Sequence, residues 1–109
     1  MDMAEERIAD ALVLRATGRL DGNSAPGFER TLLDRLDGHP ARVVLDLSGI
    51  EYVSSAGLRA ILLAVKRGKS IGCGVAVCGL RAHIREVFEL SGFHHVVALH
   101  ATLEEALRS

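Results

Sequence analysis

The run Tyr52-Val53-Ser54-Ser55-Ala56-Gly57-Leu58-Arg59 places two hydroxyls among small residues where a loop after a buried strand turns into a helix. A helix start leaves backbone N–H groups unpaired and carries partial positive charge, so a phosphate on a hydroxyl there is accommodated without unfolding. Ala56 and Gly57 add little bulk and leave the hydroxyls open to a docking protein. Spacing alone favours a plainer role for Ser55, that of helix N-cap, which serine fills often. The run therefore offers two chemistries, a modification site and a cap.

Other reactive patterns are incomplete. A hydrolase elbow, Gly-x-Ser-x-Gly, needs glycine at the position Val53 holds, and a nucleophile also needs an oriented base. Gly68-Lys69-Ser70 copies the end of a phosphate-binding loop, but Leu63 stands where the earlier glycine belongs and the segment ends a helix instead of opening one. His39, His83, His94, His95 and His100 contain no i, i+4 pair of the kind that binds zinc on a helix. Asp46 and Glu51 receive no acid–base role, and Glu104-Glu105 reads as helix capping. No cofactor and no metal is implied.

Cys73 and Cys78 are five residues apart in one strand-like run. At ~3.3 Å per residue they lie about 16 Å apart on opposite faces, too far for a disulfide. Both read as reduced core residues.

The elements that hold the octapeptide follow from periodicity. Ala11 to Thr17 predicts a strand, preceded by a shorter one over Glu6 to Ala9 with Asp10 at the turn; the pair suggests a hairpin edge. Gly18 to Asn23 reads as a loop, and Ser24 and Pro26 open a first helix carrying Phe28, Leu32, Leu33 and Leu36 until Asp37-Gly38. Arg42 to Leu47 predicts a central strand covered on both faces, and Ser48 to Val53 a loop. Leu58, Ile61, Leu62 and Val65 then recur at helical spacing until Gly68.

Ile71 to Cys78 predicts a further strand, and Leu80, Ile84, Val87 and Phe88 one face of a third helix ending at Ser91-Gly92. Phe93 is placed to pack back onto that helix. His95 to Leu99 forms a last strand, and Thr102 with Glu105 a capping box that opens a final helix. Alternation of strands and helices with short connections predicts an α/β fold with a mostly parallel sheet.

The chain has 109 residues, of which 49% are hydrophobic and 25% charged, which suits one domain spanning residues 1–109. Such a chain removes roughly 65% of its unfolded surface from water without metal or disulfide support. A formal net charge of -1 provides no broad positive field, so nucleic acid is not an expected partner. Apolar stretches such as Ala60 to Val65 fall short of the ~20 residues that span a bilayer, and the acidic N-terminus lacks the order of a secretory signal. A cytoplasmic location with no membrane insertion is the expectation.

Four segments, in order, carry a resemblance to a known family: Gly18-Arg19-Leu20-Asp21 with Ser24-Ala25-Pro26; Val44-Leu45-Asp46-Leu47-Ser48-Gly49-Ile50; Tyr52 to Arg59; and Phe88-Glu89-Leu90-Ser91-Gly92-Phe93. Together they resemble the STAS family, specifically bacterial anti-sigma-factor antagonists. The resemblance implies a single STAS-like domain with a four- or five-stranded sheet and about four helices packed on it.

It also implies a function by partner switching, in which the protein is a substrate of enzymes and not itself one. The unphosphorylated antagonist binds an anti-sigma factor that is a serine kinase; phosphorylation of one serine breaks the complex, and a metal-dependent serine phosphatase restores it. The family's modified serine falls on Ser55 by alignment to Gly57-Leu58. Ser54 replaces the family's preceding acidic residue and Ala56 its following hydroxyl residue, which leaves Ser54 as an alternative site. Asp21 matches an acidic loop residue near the site and is assigned to partner recognition with Ser54, Ser55, Ala56, Gly57, Leu58 and Arg59. Arg59, one turn after Ser55, is placed to pair with a phosphate or simply to be a solvated helix charge. The same resemblance allows a non-enzymatic subunit of a membrane transport complex. A small serine hydrolase is the third reading.

Overall fold

The computed structural model describes residues Met1–Ser109. An antiparallel hairpin opens the chain, with β1 (Asp2–Ile8) paired to β2 (Ala11–Leu20) from Asp2↔Thr17 to Ile8↔Ala11. Three crossovers follow. Helix α1 (Ala25–Asp37) leads to β3 (Arg42–Val53), α2 (Ser55–Ile71) to β4 (Gly74–Cys78), and α3 (Ala82–Leu90) with a 3-10 turn at Phe93–His95 to β5 (Ala98–His100). Helix α4 (Leu103–Arg108) comes last.

The five strands lie in sequence order, and β2 through β5 run parallel. Right-handed crossovers that always step the same way across a sheet put their helices on one face. Accordingly α1, α2 and α3 cover one face, and a cluster of 23 buried residues fills the space beneath them. Leu12, Leu14, Leu45, Leu47 and Val77 supply its floor, and Phe28, Leu32, Ile61, Ile84 and Phe88 its roof. Helix α4 covers the opposite face, where Ala106 closes over Ala11, Val13, Val44 and Cys78. The small residues there let a six-residue helix sit close to the sheet. This is the α/β architecture expected, with five strands and four helices, and one antiparallel pair at its edge.

The two stretches read as loops before and after the central strand are in fact strand. Gly18 to Leu20 extends β2 and Ser48 to Val53 extends β3 because each pairs with the other, through Thr17↔Gly49, Gly18↔Ile50, Arg19↔Tyr52 and Leu20↔Val53. Register shifts after Arg15 and Gly18 absorb the irregularity, and Leu20 and Ile50 are fully buried. Neither segment has a clean alternating pattern, so this pairing is a tertiary effect that local periodicity does not carry.

Other boundaries moved for similar reasons. Helix α2 continues past Gly68 to Ile71 and stops where Gly72 takes a left-handed φ of 77°, its N–H turned back to the carbonyls of Gly68 and Lys69. Strand β4 therefore starts at Gly74 and not at Ile71. The last strand keeps only Ala98–His100, since Phe93–His95 coils into the 3-10 turn. Phe93 does pack back onto α3, edge-on to Phe88 with ring centroids 5.7 Å apart. Cys73 joins the main core and Cys78 the smaller cluster, so the two free thiols lie on opposite sides of the sheet as expected. No helix is long and apolar enough to cross a membrane.

Candidate functional site

The end of β3 and the start of α2 meet the end of β2 at one corner of the sheet. The backbone N–H of Ser54 donates to the carbonyl of Leu20 at 2.9 Å, which holds the helix start against the β2 terminus. Gly57 makes the approach possible: a Cβ there would stand 2.7 Å from Leu20 Cγ and 2.9 Å from its carbonyl oxygen. Val53 and Leu58 are buried, so the chain is anchored on either side of the serines.

The two serines hold different positions. Ser54, extended at φ -94° and ψ 172°, is the N-cap; its hydroxyl oxygen accepts from the Gly57 N–H at 3.3 Å and its carbonyl from the Leu58 N–H at 3.0 Å. Ser55 is the first residue inside α2 and is exposed, as is Ala56. The capping role that spacing alone gave to Ser55 belongs to Ser54. Shifting the cap by one residue leaves the Ser55 hydroxyl facing solvent at a helix N-terminus, beside N–H groups that favour an anion.

Asp21 begins the turn after β2 and is held from within the chain. Its Oδ1 accepts from the N–H of Asn23 at 3.0 Å, the N–H of Ser24 at 3.1 Å and the Ser24 hydroxyl at 3.3 Å. The backbone N–H of Ser24 is the chief reason its carboxyl sits below the ordinary aspartate range; desolvation, next in size, opposes it, and the Asn23 N–H, the Ser24 hydroxyl and Arg19 add to the lowering. Ser24 does not cap α1 with its side chain, contrary to expectation. Its hydroxyl donates to the Arg19 carbonyl at 2.6 Å and accepts from the Asp21 N–H at 3.0 Å, so it closes the turn instead. The second oxygen of Asp21 faces Arg19 Nε at 3.8 Å.

Sequence reasoning missed one feature of this corner. The Arg19 guanidinium lies over the ring of Tyr52, 4.3 Å from its centroid, and Tyr52 is 42% exposed. The pairing Arg19↔Tyr52 that stacks them exists only because β2 and β3 extend beyond their periodic parts. Arg59 is exposed on α2 one turn beyond Ser55.

A family comparison covers nearly all of this structure. The STAS domain model matches residues 3–106. The chain belongs to the STAS domain family. Its relatives include BtrV of Bordetella bronchiseptica, described as a candidate anti-sigma factor antagonist, 38% identical over 93 residues that make up 85% of this chain and 80% of BtrV. The anti-sigma-F factor antagonist RsfB of Mycobacterium tuberculosis is 33% identical over 97 residues, 87% of this chain and 77% of RsfB. Among solved structures, an anti-sigma factor antagonist from Mycobacterium paratuberculosis superposes with a TM-score of 0.85 at 28% identity, covering 98% of this chain and 91% of that one.

Elsewhere in this STAS domain the polar groups lie at the surface. All 31 buried residues are apolar, glycine or proline, so charged and polar groups act at the surface. The main cleft, about 880 Å³, runs past Arg19, Asp21, Ser24, Thr31 and Glu51 and not through Ser55. His83 Nε2 contacts the Glu51 carbonyl at 2.8 Å and His100 Nε2 the Ser109 hydroxyl at 3.2 Å. Burial raises the pKa of both thiols, that of Cys78 to about 11 with help from Asp46, which keeps them protonated and poorly nucleophilic.

Proposed function

We propose that this chain is an anti-sigma factor antagonist that works by partner switching. Unmodified, it binds a serine-kinase anti-sigma factor through the corner formed by Asp21, Ser54, Ser55, Ala56, Gly57, Leu58 and Arg59. Phosphorylation of Ser55 releases the kinase, and a metal-dependent serine phosphatase resets the cycle, all in the cytoplasm. The names of BtrV and RsfB support the antagonist role.

One observation carries the choice of residue: Ser54 uses its hydroxyl oxygen as the α2 cap, while Ser55 stands exposed in the first helical position. A phosphate at Ser55 meets helix N–H groups and is reached by Arg59, so the domain stays folded. A partner that covered a neutral hydroxyl meets instead about -1.5 to -2 charges. Desolvating that charge costs several kcal/mol, on the order of 10²-fold or more in affinity.

The test is mass spectrometry after incubation with ATP and the candidate kinase. Modification at Ser55 is expected; modification of neither serine would remove the switch. Ser55→Ala should bind the kinase and stay bound when ATP is added. Release of that variant by ATP, as for the wild type, would show that the switch lies elsewhere.

A further inference from the structure

Helix α2 differs from the rest of the molecule in charge. The chain holds 13 basic and 14 acidic residues, yet α2 contains Arg59, Lys66, Arg67 and Lys69 and no acidic residue. Arg67 is neutralised by Asp37 at 2.7 Å. On other elements Arg15 pairs with Glu6 at 2.7 Å, Arg35 with Glu5 at 2.6 Å and Arg42 with Asp10 at 3.0 Å, while the unpaired Arg7, Arg30 and Arg85 each lie next to a glutamate on their own element. Arg59, Lys66 and Lys69 form no ion pair within 4.0 Å and are exposed.

Arg59, Leu63 and Lys66 follow one another at i, i+4 and i+7, which places them on one stripe of the helix. The stripe begins at Ser55 and Ala56, and Leu63 lies about 12 Å along the axis from Ser55. Leu63 is 41% exposed, while Leu58, Ile61, Ala64 and Val65 of the same helix are buried in the core. The core is thus served by the other side of α2. A solitary exposed leucine needs no explanation. This one sits between two unpaired cations and in line with the proposed phosphorylation site.

We propose that this stripe, Arg59 and Lys66 around Leu63, is a docking surface for an acidic face of the partner kinase, with Leu63 as the apolar anchor. The proposal rests on the antagonist reading and extends it from the corner at Ser55 down the length of α2. Charge selects the partner's chemistry: unpaired cations on a helix that carries no acidic residue attract carboxylates and reject basic surfaces. It also gives the phosphate a second action. At Ser55, one turn from Arg59, about -1.5 to -2 charges offset the positive charge of the stripe and repel the acidic face it recruited.

The experiment measures binding of the unphosphorylated full chain to the kinase that modifies Ser55, with three variants. Lys66→Glu should weaken binding about tenfold, chiefly through slower association, and flatten its salt dependence. Leu63→Gln should weaken binding about fivefold through faster dissociation. Arg30→Glu, an exposed cation on α1 outside the stripe, should stay within about twofold of wild type. Thermal midpoints near wild type confirm that each variant is folded.

Wild-type affinity in both Lys66→Glu and Leu63→Gln, with Ser55 still phosphorylated, would overturn the docking stripe and leave the antagonist reading intact. Equal weakening by Arg30→Glu would reduce the effect to net charge and overturn it as well. If Lys66→Glu abolished binding to phosphatidylserine vesicles while kinase affinity stayed unchanged, the stripe would belong to a membrane and the proposal would fail. If no kinase binds or modifies the wild-type chain, the antagonist reading itself falls.

Discussion

The Ser54 N–H is bonded to the Leu20 carbonyl at 2.9 Å, one residue before Asp21 and one before Ser55. This backbone contact, together with the Leu20↔Val53 pairing and the close approach of Gly57, sets the spacing between the turn after β2 and the start of α2. The turn is rigid on its own account through Ser24 and Asp21. The geometry of the corner is therefore set by strand pairing, and substitutions at Leu20 or Gly57 act on it from within the fold.

Gly57→Ala tests that coupling. The added methyl would stand 2.7 Å from Leu20 Cγ and 2.9 Å from the Leu20 carbonyl oxygen, and the backbone oxygen cannot step aside as a flexible side chain would. We expect a loss of about 1–3 kcal/mol in stability, the usual range for overpacking. Chemical denaturation measures it. Amide shifts should move at Asp21 as well as at Ser55, and shifts confined to α2 would contradict the coupling.

The two serines should separate cleanly in a pair of variants. Ser54→Ala removes the cap oxygen that receives the Gly57 N–H, at a cost of ~0.5–2 kcal/mol, while the protein remains a kinase substrate. Ser55→Ala removes an exposed hydroxyl, should change stability by less than ~0.5 kcal/mol, and should abolish phosphorylation. Thermal denaturation paired with a phosphorylation assay checks both. The reverse pattern would assign the cap to Ser55 and the switch to Ser54.

How far the sequence exposes this fold depends on where its information is local. Leu58, Ile61, Leu62 and Val65 mark α2, and Phe28, Leu32 and Leu36 mark α1, because helical burial repeats within a few residues. The extensions Gly18 to Leu20 and Ser48 to Val53 have no such repeat and become strand through each other. The Arg19 and Tyr52 stack depends on that pairing and was hidden for the same reason. At the site, the motif located the serines, but cap geometry was needed to tell them apart. Asp21 shows the same limit: its type and place were legible, and its internal hydrogen bonds were not.

Asp21 should make the turn acid-sensitive. Its pKa is lowered, first by the Ser24 N–H, so the carboxylate form is the one the folded state stabilises. That contribution is fully present above the ordinary aspartate value of ~3.9 and is lost as pH falls through the lower folded value. Asp21→Asn lacks this ionisation, so its stability should decline less than that of wild type between neutral and strongly acidic pH. Denaturation midpoints followed down the acid range check this, and parallel curves would show that Asp21 is not involved.

Arg42 predicts the behaviour of the far face. Its guanidinium donates to the carbonyls of Leu107 at 2.6 Å, Ser109 at 3.0 Å and Ala106 at 3.4 Å, and pairs with Asp10 at 3.0 Å. These are the carbonyls that the end of α4 leaves without helical partners, so one side chain holds that helix to the β3 start. Hydrogen bonds to a charged donor contribute about 1.5–3 kcal/mol, and Arg42→Ala should lose an amount in that range. Because Ala106 covers Cys78, the loss should appear first as faster reaction of Cys78 with a thiol reagent and weaker amide protection in α4, with Ser55 phosphorylation unchanged. Equal acceleration at Cys73, which lies in the main core, would mean that the whole domain had opened and that Arg42 does not act on α4 alone.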